Sequence, residues 1–172
     1  MSVWKDPATP VGIDGVGLVT TLPLRWTPWV TPVLDTSAYS AGDALHVALL
    51  RLPEILKAPN YQTTLVGMIV EDSTATPQNI GMTAWFFDRP EVTTPALNAA
   101  WTLTAPDREK RVACASSGPY NTSTATGVSE NFSLLVPLYS RSQDTDLWVL
   151  LQTLGAPTYT ASSVRLRFVV RD

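Results

Sequence analysis

The sequence predicts an all-β protein, an antiparallel sandwich or barrel-like domain with one or two short helical turns. Three observations predict it: short apolar runs of strand length, frequent turn residues between them, and 14 prolines, which disfavour long helices. The clearest strand is the last. From residue 164 onwards Val164, Leu166, Phe168 and Val170 alternate with more polar positions, among them three arginines. Alternation with period two is typical of a strand that has one buried face.

The strands follow in order along the chain, separated by clusters of Gly, Pro, Asn, Asp and Ser. Six segments have the length and composition of strands: 44–52, 63–72, 81–88, 131–139, 146–153 and 164–170. Two further strands are expected, one in the proline-rich region before residue 33 and one near Val112.

Helical signals are confined to short stretches. In 104–111, Thr104 stands three residues before Asp107, which is the spacing of a capping box, and Pro106 occupies the first turn. One or two helical turns are expected there, and the segment 52–57 predicts another. Neither is long enough to cover a sheet.

Two regions differ in composition. Residues 1–32 are predicted to form an extended proline-rich N-terminal arm, and residues 33–172 the β-sandwich domain. The arm also contains Trp4, Trp26 and Trp29, and aromatic side chains in such a segment need a surface to pack on. The arm therefore either packs across its own domain or reaches a neighbouring subunit.

The surface is predicted to be poor in charge. Charged residues make up 16% of the chain, against about 25% in typical domains. The exposed surface must therefore be rich in Thr, Ser, Pro or apolar groups, which suits a subunit that buries part of itself against neighbours. The formal net charge of −3 provides no overall basic field, so no nucleic-acid partner is expected.

No membrane partner is expected either, because no segment approaches 18 consecutive apolar residues. The N-terminus lacks the apolar run of a signal peptide, which predicts synthesis in a cytoplasm. The single cysteine, Cys114, excludes an internal disulfide framework, and its apolar neighbours predict a small buried side chain.

Catalytic signals are weak throughout. The one histidine, His46, lies in a predicted strand, where a satisfied or exposed ring is expected. The acidic residues cluster at strand ends and in turns, where they are expected to be solvated. Glu71 and Asp72 point to opposite faces of a strand and cannot form a catalytic pair. We therefore expect no enzymatic activity, no cofactor and no metal site; a hydrolase centred on His46 is the least favoured reading.

Interface candidates come from two residue types. Trp4, Trp26, Trp29 and Trp101 flank loops, where they serve either to stack on sugar rings or to anchor an interface, whereas Trp85 and Trp148 are expected in the core. Three arginines, Arg165, Arg167 and Arg171, share the polar face of the last strand. They either pair with carboxylates of an adjacent subunit or of the neighbouring strand, or keep a sheet edge soluble.

Several segments together resemble a known group. The matching residues are Ala38, Tyr39, Ala41, Gly42 and Asp43, then Phe86, Phe87, Asp88 and Pro90, and finally Pro157, Thr158 and Tyr159. Their order and spacing over residues 33–172 resemble the capsid decoration, or cement, proteins of tailed bacteriophages.

The resemblance implies a non-enzymatic virion protein on the capsid surface, bound to the major capsid protein, commonly as a homotrimer with a β-sandwich core. It implies no cofactor. The segment before residue 33 is longer than the pattern of that group requires. A different class remains open, namely a tail-associated or carbohydrate-binding recognition module that uses loop tryptophans such as Trp29 and Trp101.

Overall fold

A computed structural model describes residues 23–74, 76–93, 96–118, 120–121, 127–141 and 144–172. Within these residues the chain forms β1 (Leu24–Trp26), β2 (Leu50–Leu52), β3 (Thr63–Asp72), β4 (Met82–Phe87), α1 (Ala105–Arg108), β5 (Arg111–Ser116), β6 (Tyr120–Asn121), β7 (Gly127–Asn131), β8 (Val136–Leu138), β9 (Leu147–Thr153) and β10 (Val164–Arg171).

The strands form two antiparallel sheets. The larger sheet has six strands in the order β1–β10–β3–β7–β6, and β8 pairs with the first half of β3. The smaller sheet has the order β2–β9–β4–β5. The two sheets pack face to face around one main core, so the predicted all-β antiparallel sandwich is confirmed.

The main core consists of the inward-facing residues of both sheets. Leu166 lies opposite Val70, and Phe168 lies opposite Met68, on the inner face of the larger sheet. Phe168 also contacts Phe86 of the smaller sheet, with ring centres 5.1 Å apart in an edge-to-face arrangement. Both rings are fully buried, which is why the alternating face of the last strand is apolar.

The smaller sheet is covered on its outer face as well. There Trp101 packs edge-to-face on Trp85 and Phe87, with ring centres 5.5 and 6.2 Å apart, and its indole N–H donates to the carbonyl of Thr93. A strand that is buried on both faces needs apolar residues at successive positions. This explains why β4 is apolar at every position except Thr83.

Most of the predicted strands are confirmed. The segment 63–72 coincides with β3, and 81–88, 146–153 and 164–170 agree with β4, β9 and β10 to within one residue at either end. The two additional strands correspond to β1 and β5.

Two predicted strands were wrong in extent. In 44–52 only the last three residues form β2, because the chain turns at His46, whose ring bonds to main-chain groups. In the segment 131–139 only Asn131, the last residue of β7, and the three residues of β8 are in strands. After β7 the side-chain oxygen of Asn131 accepts the amide N–H of Ser133 at 3.1 Å, which forms a local turn.

The helical predictions were half right. The segment 104–111 contains α1, a helix of four residues with Pro106 in its first turn. The Thr104 hydroxyl donates to the Asp107 carboxylate at 2.5 Å and accepts no backbone N–H, so no capping box forms. The segment 52–57 is a turn, in which Glu54 has a φ of 51°, outside the helical region.

The N-terminal region is described only from residue 23. Residues 1–22, including Trp4, lie outside the described residues, so the division into an arm and a domain at residue 32 stays a prediction. No helix in the described part of the chain has the length and apolarity needed to cross a membrane.

Candidate protein-interaction surface

His46 has a structural position. It is 3% exposed, its Nε2 accepts the Leu151 amide N–H at 3.0 Å, and its Nδ1 bonds to the carbonyl of Ala48. Acceptance at Nε2 and donation at Nδ1 require the neutral ring. Burial lowers the pKa of His46 to about 4, although the hydrogen bond to Ala48 acts in the opposite direction. The His46 ring therefore accepts a backbone hydrogen bond from β9 that a neighbouring strand would otherwise accept.

The prediction that the acidic residues of strand ends and turns are solvated is right for Glu91, Glu109 and Asp144, which are exposed, but wrong for several aspartates. Five aspartates are buried: Asp43, Asp72, Asp88, Asp107 and Asp146. Asp72, for example, accepts the amide N–H groups of Thr74 and Gln78 and so holds the loop after β3. Buried carboxylates need such partners. Among the described residues, no group of three or more His, Cys, Asp or Glu side chains is arranged to hold a metal ion.

Asp107 illustrates the role of these carboxylates. Burial raises its pKa, but hydrogen bonds from Thr104, Lys110 and Thr93 outweigh burial and hold the pKa below its ordinary value. The carboxylate thereby ties the start of α1 to the loop at Thr93.

Two further side chains differ from their predicted environments. Cys114 is exposed on β5, the edge strand of the smaller sheet, whereas a buried side chain was expected. Trp101 is 7% exposed, so it offers no ring face for a ligand.

Two depressions in the described surface are lined mostly by polar and charged residues. One, of about 430 Å³, is lined by Arg25, Glu54, Leu56, Lys57, Thr145 and Asp172. Its arginine and terminal aspartate already pair with each other at 2.8 Å. The other, of about 340 Å³, is lined by Thr31, Glu71, Ser73, Ser162, Ser163 and Arg165. His46 lines neither of them.

The outer face of the six-stranded sheet contains the predicted interface residues. On β10 the outward positions are Arg165, Arg167, Val169 and Arg171, which alternate with the core residues. Three of them lie opposite Glu71, Ile69 and Gly67 of β3, respectively. The face is therefore polar at the Arg165 end and apolar around Val169.

Arg165 pairs within its own domain. Its guanidinium contacts the Glu71 carboxylate at 2.5 Å across the strand pair. One of the alternatives left open by the sequence, pairing with the neighbouring strand, thus applies to Arg165. The Arg165 side chain is 52% exposed, and such a pair contributes about 0.2–1 kcal/mol.

The segment 24–30 lies along β10 and places two indoles on this face. Trp26 is directly opposite Val169 in the register, and Val30 exchanges two backbone hydrogen bonds with Leu166. Between these points Thr27 bonds to the backbone of Phe168 in both directions. The described part of the proline-rich region therefore packs across its own domain.

The arginine side chains of β10 pack against the tryptophan rings of this segment. The guanidinium carbon of Arg167 lies 4.4 Å from the ring centre of Trp26 and 4.5 Å from that of Trp29. The guanidinium carbon of Arg165 lies 4.5 Å from the ring centre of Trp29. Such cation–π contacts stabilise by about 0.5–1 kcal/mol each at exposed sites. They fix the orientation of both guanidinium groups.

Exposed apolar side chains adjoin these contacts. Leu24, Trp26 and Phe132, which we call the aromatic patch, are 54%, 47% and 50% exposed. The rings of Trp26 and Phe132 meet edge-to-face at 6.1 Å. Phe132 lies close over Gly67, where a β-carbon would come within 2.7 Å of its ring. The absence of a side chain at Gly67 thus allows the ring to pack down onto the sheet.

The charge on this face is incompletely balanced. Arg167 and Arg171 form no ion pair with any residue that the structure describes, and Nε of Arg167 is buried without a hydrogen-bond partner there. Glu130 lies on the same face opposite Ile69 and is likewise unpaired among those residues. Two cations consequently lie beside the aromatic patch.

Five of the six predicted interface residues meet on this face: Trp26, Trp29, Arg165, Arg167 and Arg171. Their role in an interface stays a prediction. Sequence reasoning missed Phe132 and Leu24. Phe132 was assigned to a strand, whereas it follows β7 in a loop. Its only sequence signal was an aromatic residue after Asn131.

The comparisons with known proteins gave few matches. No family model matches the sequence, and no curated protein sequence matches it. A chain of the cyanophage Pam1 capsid asymmetric unit is 14% identical, with 99% of both chains covered and a TM-score of 0.28. A chain of a marine algae virus of the order Picornavirales is 9% identical over 99% of this chain and 83% of its own, with a TM-score of 0.28.

A mutant VP2 protein of infectious bursal disease virus is 16% identical over 96% of this chain and 45% of its own, with a TM-score of 0.20. All three chains come from viruses. TM-scores this low establish neither a shared fold nor a shared function.

Proposed function

We propose that the protein is a structural component of a virus particle, which binds the head shell through the outer face of its six-stranded sheet. The observation that carries the proposal is the aromatic patch beside two arginines that form no ion pair with the residues that the structure describes. Exposed aromatic and arginine side chains are the residues most enriched at the centres of protein interfaces.

The rest of the described scaffold supports a binding role without catalysis. His46 bonds to two main-chain groups, and the buried carboxylates hold loops. These groups are occupied in stabilising the fold. A β-sandwich with one exposed binding face suits a protein that acts by burying contact area between its neighbours.

The finer assignment follows the sequence resemblance. We propose a decoration or cement subunit of a tailed bacteriophage, located on the capsid surface, assembled as a homotrimer and bound to the major capsid protein. In that role the contact area added between shell subunits opposes the pressure of packed nucleic acid. The proposal includes no cofactor and no enzymatic activity.

Particle reconstitution tests this proposal. Particles lacking the subunit are incubated with purified protein, and bound copies are located in a density map and counted by gel densitometry. We expect density on the head shell for the natural protein. We expect at least a tenfold loss of occupancy at limiting protein for the double variant Trp26→Ala, Phe132→Ala. Full occupancy by that variant, or density on the tail alone, contradicts the proposal.

A matched control separates loss of contact from loss of folding. Leu154 is 54% exposed, as much as the residues of the aromatic patch, but it follows β9 in the smaller sheet. Leu154→Ala is expected to bind particles like the natural protein. The circular dichroism spectra of all variants should coincide.

The recognition-module alternative loses support from the same geometry. The buried position of Trp101 and the two guanidinium groups packed against Trp29 leave little indole surface for a sugar ring. Binding of the natural protein to a glycan array, abolished by Trp29→Ala, would restore that alternative.

A further inference from the structure

We infer that the outer face binds a protein segment carrying two carboxylates, one on either side of an apolar side chain. The inference rests on the proposed function and specifies the chemistry of the partner. Its basis is the row formed by Arg167, Val169 and Arg171 on β10, with the aromatic patch at the level of Val169.

Arg167 is prepared to hold a carboxylate. Its guanidinium is packed against Trp26 and Trp29, and it donates no hydrogen bond to any described residue. Because Nε is buried, the edge formed by the two terminal amino groups is the one that this arginine, packed on aromatic rings, keeps for an acceptor. Because the two indoles already restrict the side chain, little conformational entropy is lost when the acceptor binds. A carboxylate matches this edge with two parallel hydrogen bonds.

Arg171 provides the second cation. It is exposed, points to the same side as Arg167, and lies beside Leu24 in the register with β1. The two arginines are four positions apart in a strand, which corresponds to about 13 Å. Acidic residues at positions i and i+4 of an extended segment have the same separation and share a face. Residue i+2 of such a segment then lies between them, over Val169.

The middle of the row is apolar. Val169 is fully buried, and Trp26 and Phe132 form the exposed surface at its level. A leucine or similar side chain at position i+2 therefore finds an apolar contact flanked by two cations.

The row presents a cation, an apolar surface and a second cation in turn, and this alternation favours a protein segment over a nucleic acid. A phosphate backbone would offer negative charge at every position, including the apolar middle, and the net charge of −3 opposes a polyanion at longer range. Glu130, which forms no ion pair with a described residue, adds to that repulsion on the same face. Two isolated carboxylates approach only the two arginines.

The test uses a synthetic peptide, acetyl-Glu-Ser-Leu-Ser-Glu-amide, and its counterpart with both glutamates replaced by glutamine. Each is titrated into the full chain labelled with ¹⁵N, and the shift of the Arg167 Nε–H resonance is followed. We expect a saturable shift with the acidic peptide and at least tenfold weaker binding of the glutamine peptide. Arg167→Lys keeps the charge but loses the planar fork. This variant should bind the acidic peptide more weakly by a similar factor, as measured from the resonance shifts of the backbone amides of β10.

The control variant is Arg108→Lys, in α1 and away from the outer face, which should leave peptide binding unchanged. Equal affinity for the two peptides, an unaffected Arg167→Lys variant, or displacement of the peptide by a thymidine oligonucleotide would overturn the inference. Particle reconstitution is independent of these outcomes. Occupancy that depends on Trp26 and Phe132 but not on Arg167 would refute the partner chemistry and leave the proposed function standing. Peptide binding by a protein absent from particles would refute only the function.

Discussion

Acidification should destabilise this protein through its single histidine. In the folded state burial lowers the pKa of His46 to about 4, whereas an unfolded chain has the ordinary value of 6.5. The unfolded state therefore binds a proton first as the pH falls. The contribution of His46 to stability is complete above about pH 6.5 and is lost as the pH falls towards 4.

The magnitude follows from the difference between the two pKa values. One pKa unit corresponds to about 1.4 kcal/mol, so the full effect below pH 4 is about 3 kcal/mol, and about 2 kcal/mol is already lost at pH 5. This is a large part of the free energy of unfolding of an ordinary domain, about 5–15 kcal/mol. His46 is the only histidine of the chain, so no other imidazole contributes in this range.

The measurement is urea-induced unfolding at several pH values between 8 and 4.5, followed by tryptophan fluorescence. His46→Gln is the matched variant, because a glutamine side chain also donates and accepts hydrogen bonds but stays neutral. We expect the free energy of unfolding of the natural protein to fall between pH 7 and pH 5, and that of His46→Gln to change much less. A natural protein with constant stability over this range, or parallel curves for both proteins, would refute the assignment.

Three further predictions concern the core, the loops and the edge strand. Phe86→Ala removes a fully buried ring and should destabilise the protein by about 3–5 kcal/mol in urea unfolding, whereas Leu135→Ala, at a side chain that is 71% exposed, should change stability by less than about 0.5 kcal/mol. Asp107→Ala removes the acceptor for Thr93 and Thr104 and should cost about 1–3 kcal/mol; an unchanged urea midpoint would contradict its role. Cys114 should react completely with a thiol reagent in the folded protein, and protection until unfolding would show that it is covered.

The sequence predicted the strands that carry their own pattern. Alternation in 164–170 and the β-branched run of 63–72 depend only on neighbouring residues and on which face is buried. The segment 44–52 was wrong because its conformation depends on a distant partner. The ring of His46 accepts the amide of Leu151, 105 residues away, and no local pattern reveals that pairing.

The candidate surface was predictable in composition but not in arrangement. Tryptophan and arginine side chains in unusual places indicated an interface. Their mutual packing depends on the register of β1 against β10, which sets Trp26 opposite Val169 and so brings it to Arg167. The register between two strands so far apart in sequence depends on the pairing of the whole sheet and not on residues near either strand. The contribution of Phe132 also required Gly67 on a third strand.

The position of β10 between β1 and β3 has a consequence for synthesis on the ribosome. Arg25 and Asp172, which pair at 2.8 Å, are separated by 147 positions in the chain, so β1 cannot dock until the last strand has been translated. Trp26 and Trp29 therefore meet Arg165 and Arg167 only after translation has passed all four residues. A polypeptide that has not yet gained β10 therefore lacks the contacts between these four side chains.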